Sequence, residues 1–237
     1  MIVDALIHGI FPWTLELDVA NPDAGQDESE KMFSLLSSRC QNAIWNEHNF
    51  FSLKSFKESG QTLFWYSPDP RAVLDLETLH IPSRLRRTMQ SQKFKVTFDE
   101  AFPEVMLGCA LAGNRATEGS WISKEFFCGY CKLHEMGFAH SVECWLQENE
   151  TKKEKLVGGV YGVAINGFFG GESMFHTETD ASKVALFTLC NRLKEKSFQL
   201  FDLQVLNAHT KSLGGKEIPR AEYLRLLEKA VLTPTIF

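Results

Sequence analysis

The sequence predicts an α+β fold with a mixed, partly antiparallel sheet, because helical and strand-like patterns interleave along most of the chain after residue 93. Two observations support this prediction most directly. Asn166-Gly167 separates two β-prone runs, and this dipeptide between such runs is the strongest short-range signal of a hairpin. Residues 139–147 alternate between two faces, with Val142, Cys144 and Leu146 on one of them, which is typical of a strand.

The helices are predicted from apolar side chains at helical spacing. Asp180 and Pro219 add local signals, because an aspartate favours the N-cap and a proline the first turn of a helix. The predicted helices are 28–44, 99–110, 122–137, 180–196 and 219–231.

The strands are predicted from short β-prone runs. Residues 67–71 are instead expected to form a rigid extended turn, because each proline fixes its own φ and restricts the residue before it. The predicted strands are 94–97, 139–147, 160–165, 168–169 and 198–206.

Composition excludes several classes of protein. The chain has 237 residues, of which 44% are hydrophobic and 23% charged, and this argues against a disordered or fibrous chain. No apolar run approaches the roughly 18 residues of a membrane span, and the N-terminus lacks the pattern of a secretory signal. The six cysteines are scattered through a chain too large to need disulfides. We therefore expect reduced thiols and a cytoplasmic protein without a membrane partner.

Charge is distributed unevenly along the chain. The net charge is −5, made up of −7 in residues 1–79, +5 in 80–97 and −3 in 98–237. Such a basic run is either a solvated surface or a patch that contacts phosphates, and the charge pattern leaves both open. The bases in this run are Arg84, Arg86, Arg87, Lys93 and Lys95.

Asp202 and Gln204 stand two apart in the strand predicted at 198–206, so they project from the same face. A carboxylate and an amide on a largely buried strand must find polar partners. They form either a satisfied core pair or a functional one, in which Asp202 accepts a hydrogen bond from the Gln204 side-chain amide and stabilises a nearby ammonium group.

Three further motifs are weak. Cys128 and Cys131 form a CxxC without a second pair, inside a predicted helix, which disfavours a metal or redox site. The glycines around Gly158 do not match a dinucleotide-binding fingerprint, and Ser173 lacks the frame of a nucleophile elbow.

Ten short segments, in order and at matching spacing, resemble the leucyl/phenylalanyl-tRNA–protein transferase family. The resemblance runs from Trp65 to about Leu227. The segments are 9–13 (GIFPW), 65–71 (WYSPDPR), 133–137 (LHEMG), 139–143 (AHSVE), 156–162 (LVGGVYG), 171–175 (GESMF), 181–183 (ASK), 202–204 (DLQ), 212–214 (SLG) and 217–220 (EIPR).

This resemblance implies an enzyme that moves leucine or phenylalanine from its charged tRNA to the N-terminal Arg or Lys of a protein, which marks that protein for degradation. It implies a small N-terminal domain, placed at 1–92 with an insertion at about 14–63, and a GNAT-like acyltransferase domain at 93–237. No cofactor and no metal are expected, because the aminoacyl ester is already activated.

The resemblance also implies roles for individual residues. Gln204 would contact the attacking amine, with Asp202 orienting it, and Glu172 suits a cationic acceptor. Whether Asp202 and Gln204 or the 2′-hydroxyl of the tRNA transfers the proton stays open. The remaining residues would bind substrate: Phe169, Met174 and Leu186 in the donor pocket, where methionine should also fit; Trp13, Trp121 and Tyr130 around the terminal adenosine; and Arg84, Arg86 and Arg87 on the tRNA backbone.

Two alternatives remain. The chain could be a related tRNA-dependent transferase with another donor or acceptor, although Glu172 disfavours acidic acceptors. It could also be a catalytically silent relative that binds RNA or peptide, against which the presence of both Asp202 and Gln204 argues.

Overall fold

A computed structural model describes residues 2–15, 62–79, 81–113, 120–147 and 153–237 and, for 13–15 and 62–65, the backbone alone. The helix predicted at 28–44 and most of the predicted insertion lie outside these residues. The strands are β1 (Phe11–Leu15), β2 (Thr62–Tyr66), β3 (Arg71–Leu74), β4 (Lys95–Phe98), β5 (Ala139–Gln147), β6 (Glu154–Ile165), β7 (Phe168–His176), β8 (Leu200–Gln204) and β9 (Gly215–Ile218). The helices are α1 (Ile2–Leu6), α2 (Ser83–Gln90), α3 (Phe102–Leu111), α4 (Lys124–Glu135), α5 (Ala181–Glu195), α6 (Ala208–Ser212) and α7 (Arg220–Val231).

Seven of these strands form one mixed sheet in the order β4-β5-β6-β7-β8-β3-β9. Neighbours pair antiparallel except β7 and β8, which are parallel. β1 and β2 form a separate antiparallel pair. The α+β class with a mixed sheet is therefore confirmed, whereas the GNAT-like domain and the division at residue 92 stay predictions.

The sheet contains a strand from the first half of the chain. Residues 71–74 follow a proline-rich turn, and β3 lies between β8 and β9 inside the large sheet. All four of its residues are buried, which explains the location, because Ala72, Val73 and Leu74 require apolar surroundings on both faces of a sheet.

Two hydrophobic clusters cover the sheet. One contains buried residues of α1, α3, α4 and α7, and the other contains those of α5 together with Leu85 of α2. Successive strand residues belong to opposite clusters, as Phe168 and Phe169 do, because side chains alternate across a sheet.

β7 and β8 diverge after a short stretch of parallel pairing. They pair from Phe168↔Leu200 to Gly170↔Asp202. β7 then continues to His176, whereas β8 ends at Gln204, so a gap opens between the two strands.

Most local predictions are confirmed, with changes at the ends of elements. The hairpin at Asn166-Gly167 joins β6 to β7, and α3 begins three residues later than predicted because Asp99 has a φ of 60°. β8 is shorter than predicted because Gln204, with a φ of 64°, leaves the extended conformation. Asp180 precedes α5, but its side chain makes no capping hydrogen bond.

In the described part of the chain, no helix has the length and apolar character to cross a membrane.

Candidate active site

Two β-bulges lie where β7 and β8 separate. In β7, Tyr161 pairs with Ser173 and Gly162 with Gly171, so Glu172 is the extra residue. In β8, the register with β3 skips Leu203 in the same way. A bulge changes the direction of side chains next to it.

Glu172 and Gln204 meet across the gap between these strands. The Gln204 Nε2 donates a hydrogen bond of 3.0 Å to Glu172 Oε2. The other carboxylate oxygen of Glu172 and the Tyr130 hydroxyl are also buried, with no partner elsewhere among the described residues, and the hydroxyl is close enough to the carboxylate to oppose the rise in its pKa. Burial raises the pKa of Glu172 to about 7, although the bond from Gln204 opposes this shift. Glu172 can therefore gain or lose a proton near neutral pH.

Asp202 lies behind this pair, and its side chain is fully buried. Its Oδ1 accepts hydrogen bonds from Arg71 Nε (2.9 Å) and from the Gln204 backbone N–H (2.8 Å). Its Oδ2 accepts from Arg71 Nη2 (2.6 Å) and from the Tyr223 hydroxyl (3.0 Å). The expectation that Asp202 binds the Gln204 side-chain amide is therefore wrong, because the bulge and the positive φ turn that amide toward Glu172.

Arg71 is the partner that the sequence reading missed. Burial opposes its charge, but the hydrogen bonds and charge of Asp202 outweigh burial, so the pKa of the guanidinium is raised. Its Cζ lies 4.7 Å from the ring centre of Phe11 and 4.6 Å from that of Tyr223. A carboxylate inside an apolar strand requires a cation nearby, so Asp202 itself was the signal that a basic partner exists.

A cavity of about 840 Å³ occupies the gap between β7 and β8. The six consecutive residues 171–176 of β7 line it, so the edge of this strand faces the cavity. Glu172 and Gln204 are in its wall, and the apolar part of the wall includes Val160, Met174 and Leu186.

The other predicted substrate residues lie at different depths. Trp121 lines the cavity, and its ring meets that of Phe126 edge-on. Tyr130 and Phe169 are fully buried and are not among the lining residues; Phe169 packs in the core against Phe201. Trp13 lies in β1, beside Pro12, which lines the cavity.

The predicted basic patch lies on and after α2. Arg84, Arg86 and Arg87 are all exposed; Arg84 Nη2 lies 4.0 Å from Asp180, whereas within the described ranges Arg86 and Arg87 form no ion pair. By contrast, Lys93 bonds Glu178 at 2.7 Å and Lys95 bonds Glu154 at 2.8 Å. The patch therefore contains two arginines without an ion pair among the described residues, a third with one long contact to Asp180, and two lysines with short bonds to a glutamate.

The CxxC motif lies inside α4, with Cys131 buried and Cys128 partly buried. No group of three or more metal-binding side chains occurs in the part of the chain that is described.

The family model and the relatives that match this chain carry the same description. The family model for leucyl/phenylalanyl-tRNA protein transferase matches residues 73–228. A transferase of that name from Magnetococcus marinus is 43% identical over 176 residues, covering 74% of each chain. The one from Herpetosiphon aurantiacus is 46% identical, covering 76% of this chain and 88% of the relative. The one from Edwardsiella ictaluri is also 46% identical, covering 71% of this chain and 66% of the relative.

Among solved structures, L-PGS from Bacillus licheniformis is similar at a TM-score of 0.36 and 13% identity, covering 60% of this chain and 48% of that one. This similarity is too low to bear on fold or function.

Proposed function

The chain belongs to the leucyl/phenylalanyl-tRNA–protein transferase family of enzymes, and we propose that it transfers leucine or phenylalanine from aminoacyl-tRNA to proteins that begin with Arg or Lys. Methionine is a further donor. The modified proteins are then marked for degradation through their new N-terminus. The observation that carries this proposal is the hydrogen bond between Gln204 and Glu172 in the wall of a largely apolar cavity.

Glu172 and Gln204 provide a site for the attacking amine. The carboxylate of Glu172 and the amide oxygen of Gln204 accept hydrogen bonds from an ammonium or amine group. The acceptor amine has a pKa of roughly 7.7–8.0, so it must lose a proton before it attacks. That first proton goes to solvent. The nitrogen loses a second proton as the C–N bond forms, and Glu172, with its pKa raised to about 7, is matched to take it at neutral pH.

The transfer then follows from these positions. The nitrogen lone pair attacks the ester carbonyl carbon, a C–N bond forms, and the bond from that carbon to the 3′ oxygen breaks. The 3′ oxygen leaves with the electron pair and takes up one proton. That proton is the second one, which the nitrogen loses to Glu172 as the C–N bond forms and which Glu172 delivers directly or through the neighbouring 2′-hydroxyl of the tRNA. Asp202 holds other groups in place and does not act as a base, because each of its carboxylate oxygens already accepts two hydrogen bonds from protein groups.

The donor side chain occupies the apolar part of the cavity, against Val160, Met174 and Leu186. Such a wall separates homologous apolar side chains by only roughly 1–3 kcal/mol. Acceptance of leucine, phenylalanine and methionine by one pocket is consistent with that limit.

The tRNA is held at two places. Trp121 provides a face for stacking of the terminal adenosine, and Trp13, which follows the cavity-lining Pro12 in β1, is proposed as a second one. Arg84, Arg86 and Arg87 contact backbone phosphates, which makes binding sensitive to salt and largely independent of sequence. The negative charge of Glu172 favours an acceptor with a cationic first residue.

The test is a transfer assay with matched peptides. Labelled Leu-tRNA, Phe-tRNA and Met-tRNA are each incubated with the protein and with peptides that differ only in the first residue: Arg, Lys, Asp or N-acetylated Arg. We expect label in the Arg and Lys peptides and none in the other two. Transfer to the Asp peptide would favour a related transferase of other specificity. Binding of charged tRNA without any transfer would favour a silent relative.

A further inference from the structure

Arg71, Tyr223 and the segment 9–11 surround Asp202, yet none of them is among the residues that line the cavity. We call these three parts the Asp202 cradle. The Arg71 guanidinium lies between the rings of Phe11 and Tyr223, and its Nη1 donates to the Gly9 carbonyl at 3.0 Å. The cradle therefore connects the N-terminal segment, β3 and α7 at a single buried side chain.

The cradle fills the hydrogen-bonding capacity of the Asp202 carboxylate. Each oxygen accepts two hydrogen bonds, and all four donors belong to the protein. A carboxylate has about four lone-pair positions, so none is left for a substrate amine. The side chain is also fully buried.

One of these four bonds reaches the backbone of Gln204. Gln204 has a φ of 64°, which is uncommon for a residue with a Cβ and persists where the surroundings hold it. The bond from its N–H to Asp202 Oδ1 is 2.8 Å long. The same left-handed turn, next to the bulge at Leu203, directs the Gln204 amide toward Glu172 at 3.0 Å.

The N-terminal part of the cradle is closely fitted. Gly9 has a φ of 73°, and a Cβ at this position would lie 2.7 Å from Leu224 Cδ2 and 3.2 Å from the Tyr223 ring. Glycine adopts that φ without strain, and any side chain here would have to displace Leu224. The Gly-Ile-Phe segment is therefore placed to bring its Gly9 carbonyl and the Phe11 ring against Arg71.

We propose that the Asp202 cradle is a positioning device for the transfer reaction: Arg71, Tyr223 and the segment 9–11 fix Asp202, and Asp202 fixes the left-handed backbone of Gln204 so that its amide faces the acceptor amine. Arg71 and Tyr223 are positioning residues, and Asp202 takes no proton from substrate. The consequence for catalysis rests on the proposed function, whereas the consequence for the Gln204 backbone does not.

The test uses Arg71→Lys and the milder Tyr223→Phe, which removes one hydroxyl and keeps the ring over Arg71. Ser141→Ala is the matched control, because Ser141 also donates to a buried carboxylate, that of Glu143, away from the cavity. NMR measures hydrogen exchange at the backbone amides of Gln204 and of the core residue Val163. The transfer assay gives kcat and the KM for charged tRNA.

We expect the Gln204 amide to exchange at least about 10-fold faster in Arg71→Lys and by a smaller factor in Tyr223→Phe, with Val163 unchanged. We expect kcat to fall by about 10- to 100-fold in Arg71→Lys with the KM for tRNA within about twofold, and neither value to change in Ser141→Ala. Unchanged exchange at Gln204, or an equal increase at Val163, would overturn the positioning role. Absence of transfer by the wild-type protein would overturn the proposed function, and the exchange data would still decide whether the cradle positions Gln204.

Discussion

Arg71 and Asp202 form two parallel hydrogen bonds, Nε to Oδ1 at 2.9 Å and Nη2 to Oδ2 at 2.6 Å, although 131 positions separate them in the chain. Both side chains are buried, at 1% and 0% exposure. The pair joins β3 to β8 directly behind the proposed amine site.

Removing one partner of this pair should destabilise the fold more than removing both. We expect Arg71→Met to lower the free energy of unfolding by about 3–5 kcal/mol, because Asp202 is left as an unpaired buried charge. The double variant Arg71→Met/Asp202→Leu should recover more than half of that loss but no transfer activity. Urea unfolding measures the stabilities. A double variant as unstable as the sum of the single variants would show that the pair is not energetically coupled.

Glu172 should make the protein less stable as pH rises. Burial raises its pKa from the ordinary 4.5 to about 7, so the folded state binds more protons than the unfolded state between these values. The contribution of protonated Glu172 to the free energy of unfolding is fully present below about pH 4.5 and is lost as pH rises through about 7. Relative to wild type, Glu172→Gln should therefore gain stability between pH 5 and pH 8, by at most about 3 kcal/mol. Thermal unfolding of both proteins across this range measures the difference, and a constant difference would contradict the raised pKa.

The arginines of α2 should set the salt dependence of tRNA binding. We expect Arg84→Gln/Arg86→Gln/Arg87→Gln to weaken binding and to flatten the slope of log K against log salt by about 2 to 3, one phosphate contact for each arginine. The control is Lys93→Gln/Lys95→Gln, since these lysines already pair with Glu178 and Glu154. Fluorescence titration of tRNA at several salt concentrations gives both slopes. Equal slopes for the triple variant and wild type would identify α2 as an ordinary solvated surface.

Val160 should influence the choice of donor. It is 4% exposed and lines the cavity beside Met174. Val160→Met puts a longer side chain into the donor pocket, and we expect the kcat/KM for Phe-tRNA relative to Leu-tRNA to fall by about 10-fold. Val157→Met makes the same change on the same strand at a buried residue that does not line the cavity. If both variants change the donor ratio equally, the effect comes from the fold and the pocket lies elsewhere.

Local signals in the sequence were enough for much of the fold. The Asn166-Gly167 hairpin, the alternating strand at 139–147 and the four described helices predicted from periodicity are all present, because each depends on neighbouring residues. β3 escaped prediction because its four residues pair with strands at least 127 positions away.

The sequence predicted which residues form the candidate site but not which atoms they contact. Asp202, Gln204 and Glu172 do lie together. Their partners were wrong or missing because a period of two assumes unbroken pairing, and the bulges at Glu172 and Leu203 interrupt it. Gly170 and Gly171 are a local signal for the first bulge, whereas no local pattern marks the one at Leu203.

The central claim, that Glu172 and Gln204 receive the acceptor amine, is tested most directly by the pH dependence of transfer. The measurement is kcat/KM for a peptide that begins with Arg, from pH 5.5 to 9, in wild type and in Glu172→Gln. In wild type we expect the rate to rise with pH through two ionisations, one near 7 from Glu172 and one at roughly 7.7–8.0 from the peptide amine. In Glu172→Gln the ionisation near 7 should disappear and the rate at pH 7 should fall by about 100-fold. Identical pH profiles for the two proteins, or a wild type that transfers nothing to the peptide, would contradict the claim.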